Sequence, residues 1–305
     1  MKWNQRNSDL LMVSVETQIL KGKPVADAIK AKLSHEVEVL ATQNIIPGLA
    51  AILVGDDPAS QVYVRSKQKV FEKINCYSET FRLSAETTEA ELLELISSLN
   101  VNPKFHGILL QLPLPSYIDS QKVLLAISPE KDVDGFHPIN VGYLLSGEPH
   151  FIPCTPNGVM KILKHYDIPV SGKHTVIVGR SNIVGKPMFA LLVQKFEKGN
   201  ATVTICHTGT PDIKVHTKQA DIIIAAAGIP NLITGDMISE GVDIIDVGIN
   251  RVNDDSERGY HLTGDVNFDS VLGIANSITP VPGGVGPMTI TMLLSNTIQS
   301  AKNFI

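Results

Sequence analysis

Cysteine is nearly missing from this chain. Cys76, Cys154 and Cys206 are all that 305 residues contain. They are odd in number and far apart, and no Cys-x-x-Cys pair exists, so neither a disulfide framework nor a zinc site is implied. A reducing compartment suits such usage. Long apolar runs are also missing: "AAILV" and "IIIAAA" are far too short to span a bilayer. There is no basic block. Lys and Arg total 26 against 31 Asp and Glu, for a net charge of -5, and the cations are scattered, which excludes the footprint of a nucleic-acid binder. The N-terminal "MKWNQRNSDLLMVSVE" lacks a signal-peptide core and does not read as a transit peptide. A cytoplasmic protein is expected, with the first fifteen residues an extension and Met12 a second possible start. No internal repeat or low-complexity tract is visible.

What the chain does contain is alternation. A helix is expected over 24–43, opened by a proline in its first turn. The continuous apolar run "GLAAILVG" (48–55) reads as a buried strand. Asp57 and Pro58 start a further helix. A strand at 77–84, a helix at 88–100, a strand at 106–115 and a short helix near 119–126 follow. After a glycine turn at 131–138, strands are expected at 174–179, 201–207, 221–228 and 242–248, with a helix from Pro187 and a last helix at 289–303. Such βαβ succession predicts parallel sheets. The length suits two α/β domains, divided near 146–155, with ligands in the cleft at the carboxyl ends of the strands.

One short stretch, "YVRSKQKVFEK" (63–73), holds four cations on one predicted helix. At ~100° per residue, Tyr63, Lys67, Val70, Phe71 and Ile74 fall on one stripe, while Arg65, Lys69 and Lys73 lie roughly opposite, as a solvated face would. Lys67 is the exception. It is either a snorkelling surface lysine or a pocket-facing lysine of depressed pKa, usable as acid or base. The stripe alone leaves both readings open.

The nucleotide-type signal lies at "TVIVGRSNIVGKP" (175–187). Strand, glycine turn and helix N-terminus follow one another as a phosphate site requires, although Gly179 and Gly185 do not make a strict G-x-G-x-x-G. A plain βα turn would have the same outline. The next strand ends in "ICHTGT", with no carboxylate for a ribose 2′-hydroxyl. Thr208 and Arg180 suit a 2′-phosphate better, which favours NADP over NAD. His207 reads as an ordinary strand-end histidine. Elsewhere, Gln111 closes a strand, and Asp132 and Asp134 occupy a glycine turn where Asp is common for backbone reasons. "TPVPGGVGPMT" (279–289) is a stiff loop of bare backbone opening onto a helix, which would let a ligand approach the main chain closely.

"YVRSK", "QLPLP", "KDVDGFHP", "CTPNGV", "GRSNIVGKP", "GDV" and "PVPGGVGPMT" occur in the order seen in bifunctional methylenetetrahydrofolate dehydrogenase/cyclohydrolase, and the chain resembles that family from about Leu20 to Phe304. The resemblance implies a two-domain α/β fold. An N-terminal folate-binding, catalytic domain (1–150) would be completed by a returning C-terminal helix (285–305), and a Rossmann-like NADP-binding domain (151–284) would face it across the cleft. Lys67 would be the catalytic lysine, Tyr63 would stack on the folate, Gln111 would hold Lys67, and Asp134 would bind the pterin ring. Leu112, Pro113, Pro282, Gly283 and Gly284 would line the folate side. Gly179, Arg180, Ser181, Gly185, Thr208 and Ile249 would line the NADP side. The position after Thr208, often Lys or Arg in the family, is Gly209, which removes one cation from the 2′-phosphate region.

The implied activity is oxidation of 5,10-methylenetetrahydrofolate with NADP, followed by hydrolysis of the methenyl product to 10-formyltetrahydrofolate, a source of one-carbon units for purine synthesis. A homodimer acting on tetrahydrofolate derivatives is implied, with no metal, nucleic acid or membrane. Two alternatives stand beside it: a dehydrogenase of the same family without the second activity, and a non-catalytic dinucleotide sensor. Lys67, Gln111 and Asp134 argue against the first, and the Tyr63/Lys67 pair and the glycine-rich loop argue against the second.

Overall fold

The structure, a computed structural model, describes residues 16–196, 199–257 and 259–304; the N-terminal extension and Met12 lie outside them. The run Gly48–Val54 (β2) is buried at every position. A strand buried on both faces needs no polar alternation, and β2 is the middle of a three-stranded parallel sheet. Tyr77–Leu83 (β3) flanks it on one side and Gly107–Leu110 (β4) on the other. The strand expected over 106–115 thus ends after four residues. Its continuation carries Pro113 and Pro115, which lack the N–H that a ladder needs, and the Leu112–Pro113 peptide is cis.

Helices Gly22–Thr42 (α1), Pro58–Glu72 (α2), Glu89–Val101 (α3) and Ser120–Ala126 (α4) pack around this sheet. Two of their starts have local causes. The Asp57 carboxylate accepts from Ser60 N (2.7 Å) with Pro58 in the first turn of α2, and Thr88 with Glu91 forms a capping box on α3. Two helices not expected from the sequence follow, Pro138–Ser146 (α5) and Cys154–His165 (α6). α5 buries only Asn140 and Leu144, whereas α6 presents Val159, Met160, Ile162 and Leu163 as a regular apolar face.

The second sheet has six parallel strands. Gln18–Ile19 (β1) lies at one edge, followed in space by Ser277–Ile278 (β11), Asp243–Asp246 (β8), Ile222–Ala225 (β7), His174–Val178 (β5) and Thr202–Cys206 (β6). Gly185–Val193 (α7), Ile213–Thr217 (α8) and Phe268–Val271 (α9) connect them. Asn250–Asn253 (β9) and Tyr260–Thr263 (β10) form a separate antiparallel hairpin. The last helix, Gly286–Asn303 (α10), starts earlier than the sequence suggested, with Pro287 in its first turn, where a missing N–H costs nothing.

The two chain ends are exchanged. β1 joins the six-stranded sheet, whereas α10 packs on α6, α1, α2 and the three-stranded sheet. One apolar cluster runs from Leu20 and Leu33 through Leu109, Ile162 and Ile177 to Ile298, joining both halves. The expected two-unit α/β architecture is present, and the carboxyl ends of β2, β4, β5, β7 and β8 carry the loops described next.

Candidate active site

The buried seam of α2 is Ser60, Val64, Lys67 and Phe71, at helical spacing. Arg65, Lys69 and Lys73 are exposed, as the wheel required. Tyr63 sits at the margin of the seam, 39% exposed, while Lys67 is only 9% exposed. A lysine thus occupies a place where a leucine would be ordinary. Phe71, fully buried, anchors the helix beneath it; a phenylalanine so placed contributes roughly 3–5 kcal/mol. Lys67 does not snorkel. Its Nζ donates to Gln111 Oε1 at 3.1 Å. Gln111 is held by its backbone N–H on Ile52 O (2.9 Å), and its Nε2 donates to Leu112 O (2.8 Å), which fixes the amide with oxygen toward the lysine.

Burial lowers the Lys67 pKa, and the Asp134 carboxylate opposes the shift. Burial raises Asp134 to about 6, and Lys67 opposes that rise. Both shifts have desolvation as their main cause, which disfavours the charged form of each group.

The two aspartates of "DVD" differ. Asp132 accepts from His137 N (2.8 Å), Phe136 N (3.2 Å) and Asn140 Nδ2 (2.8 Å). It is consumed in folding the turn. Asp134 has only a thiol against it, with Cys154 Sγ 3.7 Å from its Oδ1. Cys154 also lies 3.5 Å from Val133 O, and burial, reinforced by Asp134, holds its thiol protonated. Asn296 of α10 donates to Val133 O (2.8 Å) and Ile152 O (2.9 Å), tying this turn to the returning helix.

A cavity of about 240 Å³ opens beside this group, lined by Tyr63, Asp246–Ile249, Leu262 and Pro280–Pro287. The bare backbone of the glycine-rich loop has two uses there. At Gly22 a Cβ would sit 1.8 Å from Gly284 O, and at Gly284 it would sit 2.6 Å from Pro280 O, so these glycines serve chain packing. A Cβ at Gly286 would meet only the Ile249 side chain, at an ordinary contact distance of 3.8 Å. Ile249 therefore lies with Tyr63, Pro282, Gly283 and Gly284. Leu112 and Pro113 follow Gln111 at the end of β4 and do not line this cavity.

A second hollow, about 220 Å³, lies at the ends of β5, β6 and β7. Val178, Gly179, Arg180, Ser181, His207, Thr208, Ala226, Ala227 and Ile229 line it among others. At Gly179 φ is +130° and a Cβ would meet Ala226 O at 2.1 Å; at Gly185 a Cβ would meet Gly179 O at 2.1 Å. Gly179 is a lining residue, whereas Gly185 lies beneath it and permits the tight strand–helix approach. The Ser181 hydroxyl accepts from Val184 N (3.1 Å). Among the described residues no carboxylate lines the hollow, and Arg180, Ser181 and Thr208 are exposed within it. These residues fit a phosphorylated dinucleotide: bare backbone and a helix N-terminus for phosphate, one cation and two hydroxyls for a further phosphate, and no acid to repel it.

Sequence reasoning missed several residues here. Cys154 and Asp265 sat in the quoted motifs "CTPNGV" and "GDV" without a role. Asp246 and Asn296 carried no local signal. Asp246 is buried and pushed up to about 7 by desolvation, although three backbone N–H groups donate to it.

The sequence profile of the tetrahydrofolate dehydrogenase/cyclohydrolase catalytic domain matches residues 20–134, and that of the NAD(P)-binding domain of the same family matches residues 153–305. The bifunctional protein FolD of Chloroherpeton thalassium is 55% identical over 291 residues, covering 94% of this chain and 99% of that protein. Among solved structures, the bifunctional FolD of Campylobacter jejuni is 51% identical with a TM-score of 0.89, over 95% of this chain and all of that one. The Trypanosoma brucei enzyme, complexed with NADP cofactor and inhibitor, is 40% identical with a TM-score of 0.90, over 95% of this chain and 98% of that one. With matches of this extent to both halves, the chain belongs to the tetrahydrofolate dehydrogenase/cyclohydrolase family.

Proposed function

We propose that this chain oxidises 5,10-methylenetetrahydrofolate to the 5,10-methenyl cation with NADP and hydrolyses that cation to 10-formyltetrahydrofolate. The observation that carries the reading is a buried lysine of lowered pKa held on the Gln111 amide, beside an aspartate left free of backbone donors. A dinucleotide sensor would need neither.

NADP, when bound, supplies the hydride acceptor for the first reaction. Gly179, Arg180, Ser181 and Thr208 are the residues that would hold its adenosine end, and Ile249 would border the reacting end. The folate nitrogens provide the electron push, so the chain's part is orientation and exclusion of water. Tyr63 offers its ring face at the cleft, Asp134 receives the pterin N–H edge, and Pro282, Gly283 and Gly284 close the side with main chain.

The second reaction uses Lys67 as proton carrier. Water adds to the methenyl carbon and its proton passes to neutral Nζ. The bond from that carbon to N5 then breaks as Nζ returns the proton to N5. The remaining hydroxyl proton leaves to solvent, so one proton is released overall and the formyl group stays on N10. Gln111, by accepting one Nζ–H, holds Nζ in place to take the proton of the attacking water.

In this reading residues 1–150 with 285–305 form the folate unit and 151–284 the dinucleotide unit. The protein is cytoplasmic and homodimeric. Three free, buried cysteines suit a reducing compartment, and β3 is a sheet edge open to pairing. No described helix is long and apolar enough to cross a membrane.

The test is a spectrophotometric assay of the purified protein with 5,10-methylenetetrahydrofolate, comparing NADP with NAD and following reduced cofactor and methenyl-folate separately. Reduced NADP appearing while methenyl-folate stays low is the expected result. Accumulating methenyl-folate would identify a dehydrogenase without the second step, and no reduction with either cofactor would overturn the enzyme reading.

A further inference from the structure

Two carboxylates that take no part in the chemistry above lie between the two hollows. Asp265 is fully buried. Its Oδ2 accepts from Ala227 N (2.6 Å) and Gly228 N (2.9 Å), and its Oδ1 accepts from Asn250 Nδ2 (2.9 Å). Asp246 accepts from Gly248 N (2.9 Å), Asp265 N (3.0 Å) and Val266 N (2.9 Å). Every partner is a donor, and five of the six are main-chain N–H groups. The oxygens are occupied, so the pair is not a cation site.

The packing around them is tight. A Cβ at Gly248 would lie 2.2 Å from Asp265 Oδ1, and one at Gly264 would lie 1.8 Å from Asp246 Oδ2. These bonds tie together three turns that lie just beyond the ends of paired strands: the turn after β7, the turn after β8, and the turn after β10. The first contributes Ala226 and Ala227 to the dinucleotide hollow. The second contributes Val247, Gly248 and Ile249 to the cleft that Tyr63 and the glycine-rich loop share.

We infer that Asp265, seated by Asp246, is a positioning residue that sets the register between the dinucleotide hollow and the folate cleft. The inference rests on the proposed function. Hydride transfer needs two bound rings aligned, and small misplacements of such rings are costly. Hydrolysis at Lys67 needs only the folate side. Loss of the Asp265 bonds therefore lowers the first activity and spares the second.

The experiment uses full-length protein carrying Asp265→Ala, Asp265→Asn, Asn250→Ala, or the last two together. Three quantities are measured: dehydrogenase kcat and KM with NADP, hydrolysis of supplied 5,10-methenyltetrahydrofolate without cofactor, and amide hydrogen exchange over 226–228, 246–250 and 264–266 in the cofactor-free protein.

Asp265→Ala is expected to lower dehydrogenase kcat at least about tenfold, to leave hydrolysis within about twofold, and to speed exchange in the three segments. Asp265→Asn is expected to retain most of the activity, because Asn250 can turn its amide and accept from the new NH2 group, so that all three bonds persist. Adding Asn250→Ala removes that rescue. Equal loss of both activities in Asp265→Ala, or unchanged kcat and exchange, overturns the inference. If Asp265→Ala does not fold, Asn250→Ala and the double variant decide it by the same criteria. A wild type that oxidises no methylenetetrahydrofolate would instead defeat the functional reading, and the exchange result would still stand or fall by itself.

Discussion

At the scale of single residues, the site is a set of polar groups placed where apolar ones would pack. Lys67 continues a seam of Val64 and Phe71, and the role proposed for it depends on that misfit, since desolvation lowers a lysine's pKa. Lys67→Met fills the same space with an apolar chain. It should lower cyclohydrolase activity by about 10²–10⁴-fold while NADP affinity, measured by fluorescence titration, changes little; equal loss of both would count against the assignment. Asp134 gives a prediction about pH. Its folded-state pKa, about 6, is raised above the ordinary carboxylate value. Its contribution to stability is therefore present at low pH and lost as pH rises toward 6 and beyond. Asp134→Asn removes that dependence. Urea unfolding should find the variant gaining on the wild type between about pH 4 and pH 7, by at most about 3 kcal/mol, even as both folate activities fall. A variant that loses ground over that range would refute the sign.

At the scale of elements, each functional group arrives on a different piece. α2 brings Tyr63 and Lys67, the end of β4 brings Gln111, the turn before α5 brings Asp134, and the loop before α10 brings the glycines. The contact of α1 with that loop is the narrowest joint. Gly22 N donates to Gly283 O (2.9 Å), and the space for a Cβ at Gly22 is already filled by Gly284 O. Gly22→Ala should cost about 1–3 kcal/mol by overpacking and raise KM for the folate more than for NADP. A thermal melt with steady-state kinetics checks both; an unshifted Tm would mean the loop yields freely. The element expectations that held were those with a strong local signal, such as the all-apolar β2 and the capped starts of α2 and α3. α5 and the β9–β10 hairpin escaped because they are short and little buried, so burial imposes no strong period on them, whereas α6 carries a regular apolar face that the sequence already contains.

At the scale of the whole molecule, the exchanged ends make the two halves interdependent. α10 supplies Met292, Leu293 and Ile298 to the core around the first sheet, and β1 hydrogen-bonds along β11 in the second. A fragment of residues 1–150 lacks α10 and leaves that core open. It should show no cooperative urea transition by circular dichroism, whereas a chain of 1–170 joined to 285–305, which restores both α10 and its packing partner α6, should recover one. A cooperative transition in the shorter fragment would show that α10 is dispensable.

What the sequence determined by itself is what short-range chemistry encodes: parallel α/β architecture from alternating apolar runs and helix starts, a phosphate-type turn from strand, glycine and helix in succession, and an odd lysine from one helical wheel. The resemblance of its motifs to a folate-enzyme family then supplied the roles. The tertiary structure decided what depends on groups far apart in the chain. It separated Asp132, spent on three donors, from Asp134, which is left free. It set the Gln111 amide against Lys67, 44 residues away, and so kept the ambiguous lysine buried on a polar partner where it would otherwise snorkel. It also gave Asp246 and Asp265 their partners. Hydrogen bonding and desolvation act through space, and no spacing along the chain records them until the sheets are assembled.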